Sequence, residues 1–290
     1  MRPAHIQLLF VDGLGLPPEP LPQSVYAGLP ALAQLLAPPC CVPLDAQLGV
    51  AGTPQSATGQ TAIFTGSNAA ARLGRHCEGF PGPELRAIIE SGNLFSWLLA
   101  AGRRCAFANA YATRPGATLP LLFRSVTTVM TLHALGTTRN RQELLEGNAV
   151  YHDVTRETLA GLGVDDVPVI SEVAAARHLL TVMRSVDVSL FEYFLTDHAG
   201  HRGSAAERQR VLRRLDALIG AFMAAMDSAT ELLLLVSDHG NIEVPATHGH
   251  SRNPVPWSAF GCAAEEARSG MSSLLDVTPK ILELCGVPRR

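Results

Sequence analysis

Leu232-Leu233-Leu234-Leu235-Val236-Ser237-Asp238-His239-Gly240-Asn241 is an apolar run that ends abruptly in a carboxylate, an imidazole and a glycine. Continuous aliphatic character without polar alternation reads as a strand buried on both faces, the mark of a parallel sheet. The same plan recurs twice. Ile6 to Val11 runs into Asp12-Gly13, and Val188 to Leu195 runs into Thr196-Asp197-His198-Ala199-Gly200-His201. Cys105 to Ala110 reads as a further buried strand. Helical patterns lie between: Asn93 to Ala101, Ala205 to Met226 with Val211, Leu215, Leu218, Ile219 and Met223 on one face, and Ser272 to Cys285, stopped by Gly286. Strands alternating with helices predict an α/β fold, a parallel sheet covered on both faces. Ligands of such sheets gather at the carboxyl ends of the strands.

The bulk numbers exclude several alternatives. In 290 residues, 47% are hydrophobic and 17% charged, which suits a sizeable core and argues against disorder. A net charge of −3 gives no basic footprint for nucleic acid or for a membrane surface. Lys280 is the one lysine among 23 basic residues, most simply a coding bias. The six cysteines form no CxxC pair and read as structural thiols of a reducing compartment. The first apolar run is too short for a signal peptide, and no stretch reaches the ~20 apolar residues of a membrane span. A cytoplasmic protein is expected; oligomeric state is not legible. The length suits one large domain carrying an insertion. Residues 113–169, richer in Thr, Arg and Gly, break the strand–helix rhythm and are expected to form an inserted cap subdomain on a core of 1–112 and 170–290.

The chemistry-bearing residues stand at the strand ends. Asp12 reads either as a ligand group or as a turn aspartate. Asp197 and His201, four apart, can converge on one cation through a turn or a first helical turn. Carboxylate with imidazole suits Zn, Mn or Fe better than Ca or Mg. Asp238 and His239 are adjacent, so on an extended strand they would point to opposite faces; sharing a metal needs a bend, which Gly240 could supply. His248 and His250 lie before Pro254 and Pro256, in what reads as a rigid loop. Ser56, in Gln55-Ser56-Ala57-Thr58-Gly59-Gln60, stands where a helix begins, either as a simple cap or facing an incoming anion. Asp12, Asp197, His201, Asp238, His239 and His250 make six ligands, enough for two three-ligand sites with room for substrate. A two-metal clamp on a transferring phosphoryl group needs such a set.

The order of these motifs resembles the metal-dependent branch of the alkaline phosphatase superfamily that contains cofactor-independent phosphoglycerate mutase and phosphopentomutase. Val11-Asp12-Gly13, Gln55-Ser56-Ala57-Thr58-Gly59, Asp197-x-x-x-His201, Ser237-Asp238-His239-Gly240-Asn241 and His250-Ser251-Arg252-Asn253-Pro254-Val255-Pro256 carry the resemblance, across about residues 1–110 and 170–290. It implies a three-layer α/β/α fold and two divalent ions, Mn or Zn foremost, with Mg and Fe as alternatives. It implies one ion on Asp197, His201 and His250, and the other on Asp12, Asp238, His239 and Ser56. Ser56 becomes the nucleophile, with Thr58 its rival, and His198 and His248 stand outside the ligand set. Gln60 replaces the histidine usual in the bacterial mutases, and the insert is far smaller than their cap. The expected activity is hydrolysis of a small phosphorylated metabolite through a phosphoserine. The alternatives are a phosphomutase, a phosphodiesterase or phosphonate hydrolase, and an inactive metabolite-binding relative. Arg72, Arg75 and His76 are candidate substrate contacts, and Arg114, Arg124, Arg139 and Arg141 candidate anion contacts in the insert.

Overall fold

The computed structural model describes residues 2–113, 120 and 124–288. Six strands form one sheet: β1 (His5–Val11), β2 (Cys41–Leu44), β3 (Cys105–Phe107), β4 (Val188–Tyr193), β5 (Glu231–Val236) and β6 (Val255–Gly261), in the order β2-β6-β5-β1-β4-β3. β1 pairs in parallel with β4 and β5, and β3 in parallel with β4, as the apolar runs predict.

Period-two alternation divides each central strand between two cores. Ile6, Leu8, Phe10, Leu232, Leu234 and Val236 face one side, against helices Ser56–Thr65, Leu94–Ala100, Val126–Leu135 and Val277–Leu284. Leu9, Val11, Leu233, Leu235, Phe191 and Tyr193 face the other, against Pro30–Leu36, Glu172–Arg184 and Ala205–Ala225. Both faces are covered, so the architecture is the expected three-layer α/β/α sandwich.

Two elements differ from the sequence reading. The segment after His250, expected as a rigid loop because of Pro254 and Pro256, becomes β6, antiparallel to both β5 and β2. Pro256 is tolerated because it precedes the ladder with β5, which begins at Trp257 opposite Val236. The stretch expected as a strand to Leu195 ends at Tyr193, and helix Leu195–Arg202 follows at once.

The 113–169 segment is not uniform. Val126–Leu135, capped by Ser125, sends Val126, Val129 and Met130 into the main core. Leu144, Ala149, Tyr151, Leu159, Val164 and Val167 instead close a small apolar cluster of their own with Ala110. Arg139 donates to the carbonyls of Phe107 and Asn148, and Arg141 pairs with Asp166, so both serve the structure of this segment. Arg124 directly precedes the Ser125 cap, and Arg114 lies outside the described residues. Among the described residues, no helix is long and apolar enough to cross a membrane.

Candidate metal centre

Asp12 directly follows β1, and its backbone N–H continues the ladder to the Tyr193 carbonyl. β5 ends one strand away. There the bend expected at Gly240 is made earlier: Ser237 Oγ accepts from the Leu14 N–H and donates to the His239 carbonyl. The fold of the chain about that hydroxyl turns Asp238 and His239 to the same side. Gly240 serves to leave room, because a Cβ there would run into Glu243 and Ser251.

The result is a tight inner cluster. His239 Nε2 lies 3.2 Å from Asp12 Oδ1, 3.6 Å from Asp238 Oδ2 and 2.9 Å from Ser56 Oγ. The Gln60 amide Nε2 donates to Asp12 Oδ2 and Asp238 Oδ2 at 3.1 Å each. Asp12 Oδ1 is buried and, although near His239, has no hydrogen-bond partner. Burial, and then the Asp238 carboxylate beside it, push the Asp12 carboxyl well above its ordinary value. Burial opposes protonation of His239, yet Asp238 and Asp12 outweigh it and raise the imidazole to about 10. Both shifts show protons held where the two buried carboxylates call for positive charge, a demand that a cation would meet.

The outer cluster forms on different elements. Asp197 and His201 share a face of helix Leu195–Arg202, so the helical alternative is the one realised. His250 reaches in from the loop before β6. Its Nδ1 is 3.0 Å from the Pro54 carbonyl, and His201 Nδ1 is 3.2 Å from the His248 carbonyl. A carbonyl can only accept, so in both rings Nδ1 carries the proton and Nε2 presents a lone pair. These two lone pairs face each other across 2.9 Å, with Asp197 Oδ1 at 3.4 Å from one and 3.3 Å from the other. Three acceptors converge on one point and no donor separates them. The centre of that triangle lies about 1.9 Å from each atom, close to zinc–imidazole and zinc–carboxylate distances of ~2.0–2.2 Å. Burial raises the Asp197 carboxyl, but charge on His239 and the hydrogen bond from Asn241 Nδ2 outweigh it, and the net displacement is downward. His239 stacks on His250, ring centres 3.7 Å apart, and joins the two clusters. Asp12, Asp238 and His239 form one group that could hold an ion; Asp197 and His250, with His239 in reach, form a second.

Ser56 opens helix Ser56–Thr65, but the cap position is Gln55, so the hydroxyl is not consumed in capping. It faces His239. Thr58 turns inward instead, donating to the Gln55 carbonyl and accepting from the Cys77 N–H. Asp12, Ser56, Gln60, Asp197 and His198 border a cavity of about 570 Å³ whose far walls are Phe107, Tyr111, Tyr151, His152, Glu192 and Phe194, with Phe80 at the rim.

Three expected substrate contacts fall elsewhere. Arg75 and His76 line a separate surface pocket with residues 51–53 and Gln55, and Arg72 lies in the last turn of the short helix Ala69–Leu73; none of the three is in the described lining of the cavity. His248, at φ 46°, gives its carbonyl to His201.

Sequence reasoning missed two acidic residues. Glu243 is buried and accepts from the N–H groups of Gly15 and Asn241, from Ser251 Oγ and from Asn253 Nδ2, tying together the loops that carry the ligands. Glu192 sits within the apolar run of β4 and is raised to about 7, chiefly by burial. A lone carboxylate inside such a run was the available signal for it.

The sequence and the fold both have known relatives. A family model described as the metalloenzyme superfamily matches residues 139–289, which include Asp197, His201, Asp238, His239 and His250. A 2,3-bisphosphoglycerate-independent phosphoglycerate mutase of Agrobacterium fabrum is 33% identical over 112 residues, 36% of this chain and 22% of the relative. One from Paracoccus denitrificans is 31% identical over 120 residues, 39% and 24% respectively. The matched stretch thus spans about a quarter of the curated relatives' length. Among solved structures, a protein of Pyrococcus horikoshii aligns over 100% of this chain and 99% of its own at 17% identity and TM-score 0.59. The alkaline phosphatase from the Antarctic bacterium TAB5 aligns over 99% of both at 14% identity and TM-score 0.58. These two likenesses establish the alkaline-phosphatase-like fold.

Proposed function

The chain belongs to the metalloenzyme superfamily, and on that premise we propose that it is a two-metal hydrolase of small phosphomonoesters, acting through a phosphoserine at Ser56. Membership implies divalent metal ions; Mn or Zn suits the mixed carboxylate–imidazole donors best. Asp197, His201 and His250 would hold one ion, and Asp12, Asp238 and His239, with Ser56 Oγ beside them, the other. When bound, the ions would supply positive charge for the phosphoryl oxygens and lower the pKa of the hydroxyl.

One observation carries the reading: two imidazoles with fixed tautomers aim lone pairs at each other and at a carboxylate. That arrangement is repulsive without a cation between them. The protein's own groups do the rest. Ser56 Oγ, uncommitted to capping, gives up its proton and forms a bond to phosphorus as the ester P–O bond breaks, and the leaving oxygen takes up a proton in its place. Water then cleaves the phosphoserine, releasing phosphate and restoring the hydroxyl. Gln60 holds Asp12 and Asp238 in register without adding charge.

The test is hydrolysis of an aryl phosphate in the presence of Mn or Zn. Turnover that vanishes in Ser56→Ala supports the reading; turnover unchanged by that substitution overturns it. A phosphomutase is the second reading, favoured by the names of the curated relatives. Labelled phosphoryl groups retained on an organic product, with no free phosphate, would select it.

A further inference from the structure

Beyond the strand-end cluster, the cavity has a wall that no metal or nucleophile chemistry uses. Glu192 points from β4 to the same side as Leu190, toward the Val126–Leu135 helix, where Thr127 Oγ1 donates to its Oε2 at 2.5 Å. Ser125 Oγ lies 2.8 Å from Thr127 Oγ1 and 2.9 Å from Thr128 Oγ1, and Tyr111 bonds to Thr128 in turn. Glu192, Ser125 and Tyr111 all line the cavity, so this hydroxyl network ends at its surface in a carboxylate. Asn109 clamps the Glu192 backbone from both sides, accepting from its N–H at 2.8 Å and donating to its carbonyl at 2.7 Å. The carboxylate is therefore held in place by its neighbours.

A second wall is aromatic. His152 stacks on Phe194 with ring centres 4.7 Å apart and planes 24° from parallel. Tyr151 continues the row on one side at 4.1 Å, and His198 on the other at 5.4 Å. Flat faces bordering a cavity favour a flat guest.

We propose that this part of the cavity is a leaving-group subsite for an aromatic moiety that is neutral or cationic and offers a hydroxyl or amino hydrogen to Glu192. The inference rests on the phosphomonoester reading and narrows its substrate class. A buried carboxylate rewards a donor and repels a distal anion, because like charges brought together out of water are costly. A glycerate-type leaving group, small and carboxylated, matches neither wall.

The experiment compares two aryl phosphates, 4-(aminomethyl)phenyl phosphate and 4-carboxyphenyl phosphate, at about pH 8, above the value of about 7 to which burial raises Glu192. Wild type should favour the amine by about tenfold or more in kcat/KM beyond the difference set by leaving-group acidity. Glu192→Gln should shrink that preference by about tenfold, lowering turnover of the amine and raising that of the carboxylate. A preference unchanged in a folded Glu192→Gln protein overturns the subsite while leaving the phosphatase reading intact. Failure of wild type to cleave either ester counts against both. Should the variant not fold, inhibition of wild type by the product phenols gives the same reading. 4-(Aminomethyl)phenol should bind about tenfold more tightly than 4-hydroxybenzoate, and equal or reversed affinity refutes the assignment.

Discussion

Asp12, Asp238 and His239 stand at the ends of neighbouring central strands and are buried, whereas Asp197, His201 and His250 stand on a helix and a loop and stay partly exposed. The residue types are nearly the same; the scaffolding is not. The inner carboxylates follow directly on the β1–β5 ladder, whose last pair is Phe10 opposite Val236. The outer site depends on helix Leu195–Arg202 and on a loop tied to Pro54 and to His201 through single hydrogen bonds. A site on strand ends is pre-organised and costly to disturb. A site on a helix turn and a loop exchanges its ion more readily.

That contrast can be broken in order of expected effect. Asp238→Asn should reduce turnover of an aryl phosphate by about 10³-fold, because it removes a charge from a dry site. The loss should persist at high metal concentration, since the inner positions cannot adjust. Asp197→Asn should also cut turnover, but added metal should recover part of it. Equal rescue of both variants would erase the distinction between the clusters. A smaller effect follows from Asn241, whose Nδ2 donates to Asp197 Oδ1 at 2.7 Å. Asn241→Ala should weaken only the outer ion, by about 10–100-fold, as seen in competition with a chelator.

How much of this was readable follows from where each residue sits. Asp12, Asp197 and Asp238 were visible because each ends an uninterrupted apolar run, and a parallel sheet collects such ends at one edge. The four-residue spacing of Asp197 and His201 carried its own geometry. β6 was hidden because Pro256 reads as loop until its place outside the β5 ladder is known. Glu192 was masked by the apolar residues around it, and Glu243 by its neighbours in the Asp238-His239-Gly240-Asn241 motif. Arg72, Arg75 and His76 looked close to Ser56 along the chain, but Arg75 and His76 line another pocket and Arg72 lies in the last turn of helix Ala69–Leu73. Sequence distance says little once a chain leaves the sheet.

The smallest effect is on pH and belongs to the chelated protein. Burial raises Glu192 from its ordinary 4.5 to about 7, so the folded state holds that proton more tightly than the unfolded chain does. Its contribution is complete below about 4.5 and is lost as pH rises through about 7. His239, raised from 6.5 to about 10, acts in the same direction at higher pH. Melting temperature without metal should fall by a few degrees between about pH 5 and pH 8. Glu192→Gln should flatten the lower part of that slope, and a slope identical to wild type would show that Glu192 is not the group titrating.

Metal content per chain tests the central claim most directly. After equilibration with Mn or Zn and removal of free ion, the protein should carry two divalent ions, Asp238→Asn and His250→Ala one each. Ser56→Ala should keep both while losing turnover. A wild-type chain that binds one ion or none, or variants that lose both together, would contradict a centre built from two separate clusters.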